Sequence, residues 1–198
     1  MIATDIKLIA ITGGIGSGKS VISSILRNLS FPVYDCDQQA KWLMTQSQII
    51  RHRMTSLFGN EIYLDNGEIN KKLLSHIIFN DATALEKVNN IVHPVVKDDI
   101  LNWHHSMKGN IHFVETAILT QAKMESMVDE VWVVTAPLSM RITRVMNRDN
   151  ATSEQVLARI NSQVDIADDL PIPVKTIVND GNHAIMPQVF NLLQSLST

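Results

Sequence analysis

Lys7-Leu8-Ile9-Ala10-Ile11-Thr12 is a short, nearly unbroken apolar run that stops at Gly13-Gly14. A run of that length without alternation predicts a strand covered on both faces, the parallel type. Over 20–29 the period changes: Val21, Ile22, Ile25, Leu26 and Leu29 fall on one helical stripe. Residues 31–37, Phe-Pro-Val-Tyr-Asp-Cys-Asp, predict a second short strand. Strand, glycine loop, helix, strand is the opening of an α/β fold.

From 38 to 108 strand-like runs disappear and helical spacing dominates. It is interrupted at Phe58-Gly59-Asn60, at Leu64-Asp65-Asn66-Gly67 and at His93-Pro94. Asn66-Gly67 is a strong turn signal, and 61–64 predicts one arm of a small hairpin. Proline removes a donor, so a helix break is expected at His93-Pro94. Strand character returns at Ile111-His112-Phe113-Val114-Glu115 and at Glu130-Val131-Trp132-Val133-Val134-Thr135. Helices are expected over 137–148 and 153–164, a last strand over 175–179, a turn at Asp180-Gly181 and a closing helix ending near Leu196. No internal repeat or linker interrupts this order.

Composition narrows the class. Hydrophobic residues make up 45% and charged residues 19% of the 198, the balance of a chain that folds around a core. Net charge is −3 and the pI about 6.1, which argues against broad electrostatic binding of nucleic acid. A single cysteine, Cys36, excludes an internal disulfide and a Cys-rich zinc site, and is expected to be a small buried residue. No apolar run reaches the ~18 residues of a membrane span, and the first residues lack a signal peptide's pattern. A cytoplasmic protein without a membrane or nucleic-acid partner is expected, and a monomer.

Gly13-Gly14-Ile15-Gly16-Ser17-Gly18-Lys19-Ser20 fits G-x-x-x-x-G-K-[ST] at every fixed position. A polyphosphate needs several backbone N–H groups turned inward together, through conformations that glycine adopts cheaply. The helix beyond adds its positive dipole end. Gly14, Ile15, Gly16, Ser17, Gly18, Lys19 and Ser20 are therefore the expected nucleotide contacts. Lys19 would reach the β and γ phosphates, and Ser20 would give Mg²⁺ a hydroxyl oxygen.

Asp35 and Asp37 flank Cys36, and strand residues two apart share a face. Two carboxylates at a strand's carboxyl end suit an acceptor hydroxyl or metal-bound water; an N-cap at Asp37 is the structural alternative. Arg141, Arg144 and Arg148 follow three-and-four spacing, with Arg159 on the next helix. Such cations can close over a γ-phosphate; a solvated surface helix is the plainer reading. Glu115 ends the third core strand, where a carboxylate could position Mg²⁺ through water. Lys71 and His93 fall in the helical stretch.

The wider constellation resembles the dephospho-CoA kinase family. The likeness is carried by residues 11–20, by Val33-Tyr34-Asp35-Cys36-Asp37, Phe58-Gly59, Ile78-Phe79-Asn80 and Val92-His93-Pro94. It continues through Arg144 to Arg148-Asp149, Arg159-Ile160 with Gln163, and Asn179-Asp180-Gly181. The resemblance implies a three-layer α/β P-loop NTPase fold with a parallel central sheet, a helical substrate-binding insertion and a helical lid. The core would comprise 1–37, 109–140 and 171–198, the CoA-binding helical domain 38–108, and the lid 141–170. Asp37 matches the family's proposed general base on the ribose 3′-hydroxyl, with Lys19, Arg144 and Arg148 completing the catalytic set. Asn179 would join the nucleotide site. Asp35, Lys71, His93 and Arg159 would face the acceptor. ATP and dephospho-CoA are the implied substrates, with Mg²⁺. Where relatives often carry P-L-L-[FV]-E, this chain has Ala117-Ile118-Leu119-Thr120-Gln121, without the proline and glutamate. A small kinase for a nucleoside, nucleotide or shikimate-like acceptor, or a nucleotide-dependent switch, would share the phosphate loop.

Overall fold

The computed structural model describes residues 6–163 and 170–196, the side chains of Phe79 and Asn80 excepted. It divides into two units, Met1–Tyr34 with Met107–Thr198, and Asp35–Ser106.

The first unit is built on a five-stranded sheet in the order β2-β3-β1-β4-β5. Its strands are β1 (Lys7–Thr12), β2 (Val33–Asp35), β3 (Ile111–Glu115), β4 (Glu130–Thr135) and β5 (Val174–Val178). β1 pairs in parallel with β3 and β4, and β4 with β5. The central position of β1 explains its unbroken apolar run: Leu8, Ile9, Ala10 and Ile11 are all buried. Helices α1 (Lys19–Asn28), α6 (Leu138–Asp149), α7 (Ser153–Asn161) and α8 (Ile185–Leu196) complete this unit. Ile22 and Leu26 of α1 and Val189 of α8 join Ile9, Ile11, Phe113, Trp132, Val134 and Ile177 in one core. Phe113 stacks obliquely on Trp132, ring centroids 5.0 Å apart, and the buried Trp132 indole N–H donates to Glu130 Oε1 at 2.7 Å. The helix expected over 153–164 ends at Asn161; position 164, and 164–169 of the expected lid, lie outside the described residues.

The second unit is helical: α2 (Cys36–Gln46), α3 (Gln48–Phe58), α4 (Lys71–Asn80) and α5 (Ala82–Ser106). Side chains mark three of its helix starts. Asp35, Ser47 and Asn70 accept from the N–H groups of Gln38, Ile50 and Leu73. Gly59, at φ 85°, ends α3 where Phe58-Gly59-Asn60 signalled a stop. The expected hairpin shrinks to one antiparallel bridge, Tyr63 to Ile69, closed by Gly67 N–H on Leu64 O. Arg51 fastens that turn, stacking 4.0 Å over the Tyr63 ring and donating to the Gly67 carbonyl.

Two local expectations are corrected. The second strand stops at Asp35, and Asp37 lies in the first turn of α2 rather than on a strand face shared with Asp35. The cap is Asp35, not Asp37, because its carboxylate satisfies a helix-start donor that a continued strand would leave no use for. Pro94 sits inside α5, which runs unbroken for 25 residues. An internal proline costs about 3 kcal/mol. Here the buried stripe of Val88, Ile91, Val92, Val96 and Ile100 spans it and holds the helix on both sides.

Candidate active site

The phosphate loop runs from the carboxyl end of β1 into α1, both buried in the same core. α2, α3, α4 and α7 begin with a side chain bonded to a helix-start N–H, from Asp35, Ser47, Asn70 and Thr152. α1 begins instead at Gly18, which has no side chain to do so. No capping side chain lies over its start, so the positive end of the helix dipole is open to an anion.

The glycines are fixed by what presses on them. Gly16 has φ 78°, and a Cβ there would stand 2.6 Å from the Arg141 carbonyl oxygen. Gly18 has φ 100°, and its Cβ would run into the Asn179 amide. Conformation and space both demand glycine at these two positions.

Charged and polar side chains converge on the loop from the far side of the sequence. Lys19 Nζ donates to the carbonyls of Gly13 at 2.8 Å and Gly14 at 3.4 Å. Arg141 Nε donates to Ile15 O at 2.8 Å. Arg144 Nη1 reaches Gly16 O and Ser17 O, at 3.4 and 3.3 Å, while Nη2 donates to Asn179 O and Oδ1, at 3.2 and 3.1 Å. The buried Asn179 returns its Nδ2 to Ser17 O at 2.8 Å. Gln163 bonds the loop as well, accepting from Ile15 N–H at 2.8 Å. Just past Asn179, the N–H groups of His183 and Asn182, and the His183 ring, pull the Asp180 carboxyl down to about 2. It therefore stays ionised, and keeps that turn closed, through the neutral range.

Of the expected lid arginines, Arg144 lies on the loop. Arg148 and Arg159 instead share Asp149, which accepts from Arg148 Nε at 2.7 Å and Arg159 Nη1 at 2.9 Å. The Arg148 hydrogen bond, with both positive charges, holds the Asp149 carboxyl below its usual range. Arg141, which stands outside the catalytic set implied by the resemblance, also bonds the loop. It precedes Arg144 by one turn on the same face, the only signal available.

In the helical unit Asp37 is exposed in the first turn of α2, Asp35 caps that helix, and Lys71 is exposed at the start of α4. His93 is half-buried on α5, where burial and then the Lys97 charge push its imidazole below the usual range. Cys36 is buried, as expected. Glu115 ends β3, half-buried.

The unequal roles of the arginines give a direct test. Arg144→Ala removes four charge-assisted contacts that join the loop to Asn179; loss of such bonds costs about 1.5–3 kcal/mol. A clear fall in the apo melting temperature is expected, together with a fall in kcat/KM for ATP. Arg148→Ala, 66% exposed, should leave the apo melting temperature nearly unchanged. Equal thermal losses in the two variants would contradict this division.

A glycine-rich loop between a buried parallel strand and an uncapped helix, with a loop lysine and arginines from a later helix, defines a P-loop phosphotransferase. Comparison with known proteins agrees and goes further. A protein-family model described as dephospho-CoA kinase matches residues 7–184, and the chain belongs to that family. It is 38% identical over 191 residues to the dephospho-CoA kinase of Porphyromonas gingivalis, covering 96% of this chain and 94% of that one. The Bacteroides fragilis (strain YCH46) dephospho-CoA kinase is also 38% identical, over 95% of this chain and 92% of its own. Among solved structures, a dephospho-CoA kinase from Campylobacter jejuni superposes with a TM-score of 0.69 at 25% identity, covering 96% of each chain.

Proposed function

We propose that this chain transfers the γ-phosphoryl group of ATP to the 3′-hydroxyl of the ribose of dephospho-CoA, giving coenzyme A and ADP. The finding that supports the acceptor is the span of the family match. It runs from 7 to 184, through the phosphate loop and the whole helical unit, and not through the nucleotide-binding part alone.

The division of labour follows from the side chains. The N–H groups at the start of α1 bind the phosphates, and Lys19 leaves the loop carbonyls to neutralise charge on the β and γ oxygens. Arg141 and Arg144 hold the carbonyls of Ile15, Gly16 and Ser17, and so fix the course of the loop. Arg148 and Arg159, gathered on Asp149, are the cations of the lid; we assign Arg148 to the transferring group and Arg159 to the acceptor. Asp37 takes the proton of the 3′-hydroxyl as its oxygen attacks phosphorus. Asp35 holds the start of α2 on which Asp37 stands. Lys71 and His93, with the rest of 38–108, serve the acceptor, and 141–170 serves as the lid.

Mg²⁺ fits the same site. Among the described residues no group of three His, Cys, Asp or Glu side chains could hold a metal ion, and Ser20 is exposed beside Lys19. One protein oxygen plus substrate phosphates is the way this hard ion is usually held. When bound, it would neutralise charge between the β and γ phosphates. Among the described residues no helix is long and apolar enough to cross a membrane. We also infer a monomer acting in the cytoplasm, on small-molecule substrates without a nucleic-acid partner.

The test is ADP release with an acceptor panel: dephospho-CoA, shikimate, a nucleoside and a nucleoside monophosphate, each with ATP and Mg²⁺. Release dependent on dephospho-CoA alone supports the reading. Preference for another acceptor would overturn it.

A further inference from the structure

We propose that Gln163 is a positioning residue for phosphoryl transfer, one that sets the orientation of the Ile15 peptide in the phosphate loop. The inference rests on the kinase reading and assigns a new role within that site.

Gln163 lies two residues past the end of α7 and is half-buried. Both ends of its carboxamide are engaged. Oε1 accepts from Ile15 N–H at 2.8 Å, and Nε2 donates to Ala117 O at 3.1 Å. The amide plane is therefore fixed, and one side chain joins the segment after α7, the loop after β3 and the phosphate loop.

A peptide unit is planar, so holding one end aims the other. Ile15 N–H belongs to the Gly14–Ile15 unit, whose opposite end is Gly14 C=O. That carbonyl accepts from Ser17 N–H at 3.0 Å and from Lys19 Nζ at 3.4 Å. The next unit carries Ile15 C=O, held by Arg141 Nε at 2.8 Å. Two successive peptide planes are thus pinned, the first by Gln163 and the second by Arg141. Three of the four residues from Gly13 to Gly16 are glycine, so side-chain sterics resist rotation little there and hydrogen bonds of this kind do the holding. A loop whose peptide planes are already held reorganises less when the phosphates arrive. Gln163 contributes that rigidity without touching the nucleotide.

The test compares wild type with Gln163→Leu, which keeps the bulk and removes both hydrogen bonds. Three results are expected together. kcat/KM for ATP falls about tenfold, while KM for dephospho-CoA is unchanged. The apo melting temperature stays close to wild type. The Ile15 amide exchanges its proton faster in the nucleotide-free variant. Wild-type kcat/KM would overturn the proposal. So would a loss spread equally over both substrates and matched by a fall in melting temperature, which is what a purely structural tether to Ala117 would give. Tighter ATP binding by the variant would also overturn it, since Gln163 would then be competing with the nucleotide for Ile15 N–H. Directly measured ATP affinity keeps the two claims apart. If wild type proved inactive on dephospho-CoA the acceptor assignment would fail, yet the affinities would still report on Gln163.

Discussion

Lys19→Met is expected to lower turnover by about 10²–10³-fold, the cost of removing one preorganised donor to developing charge. The variant should remain folded. Lys19 lies in the first turn of α1, and its ammonium donates to Gly13 O and Gly14 O. Losing such bonds costs about 1.5–3 kcal/mol, while the core packing of α1 rests on Ile22 and Leu26. Steady-state kinetics together with circular dichroism and a melting curve check both halves of the statement. Near-normal turnover in a folded Lys19→Met protein would remove this loop as the phosphate site.

The second large effect is at Asp37. Asp37→Asn should lower kcat by about 10²–10⁴-fold, the range for a positioned general base, with a much smaller change in either KM. The structure sharpens this test. Asp35 supplies the cap, so Asp37 has no capping bond to lose, and its charge in the first turn of α2 is worth about 0.3–1 kcal/mol. Asp35→Asn is the companion control. Asparagine caps nearly as well as aspartate, so that variant should keep most of its activity and stability. If Asp37→Asn retained wild-type kcat, the carboxylate would be a first-turn charge and the base would lie elsewhere.

Much of this was legible in the residues because each signal was local. β1, β3 and β4 are short apolar runs, and runs of that kind are buried strands wherever both faces are covered. The phosphate loop was legible for a different reason. Its motif glycines are demanded by backbone geometry at fixed offsets, which the structure shows at Gly13 and Gly18. Failures came where a local rule met a tertiary one. Tyr34-Asp35-Cys36-Asp37 alternates like a strand, but an aspartate ready to cap ends the strand after Asp35. His93-Pro94 has the chemistry of a break, and packing along α5 overrides it. Arg141, Arg144 and Arg148 share a helix face on paper. Which of them meets the loop and which meets Asp149 depends on partners more than a hundred residues away in the one case and adjacent in the other. Gln163 had no local signal for its bond to Ile15, because a carboxamide that bridges two distant loops has no spacing to betray it.

One measurement decides both the acceptor and the position phosphorylated. Purified protein is incubated with ATP, Mg²⁺ and dephospho-CoA, ADP is quantified, and the product is examined by phosphorus NMR and mass spectrometry. The account predicts ADP release that depends on dephospho-CoA, in a one-to-one ratio with a product heavier by a single phosphoryl group carried on the ribose 3′-oxygen. ADP released at the same rate without dephospho-CoA, or a phosphoryl group on any other atom, would contradict it.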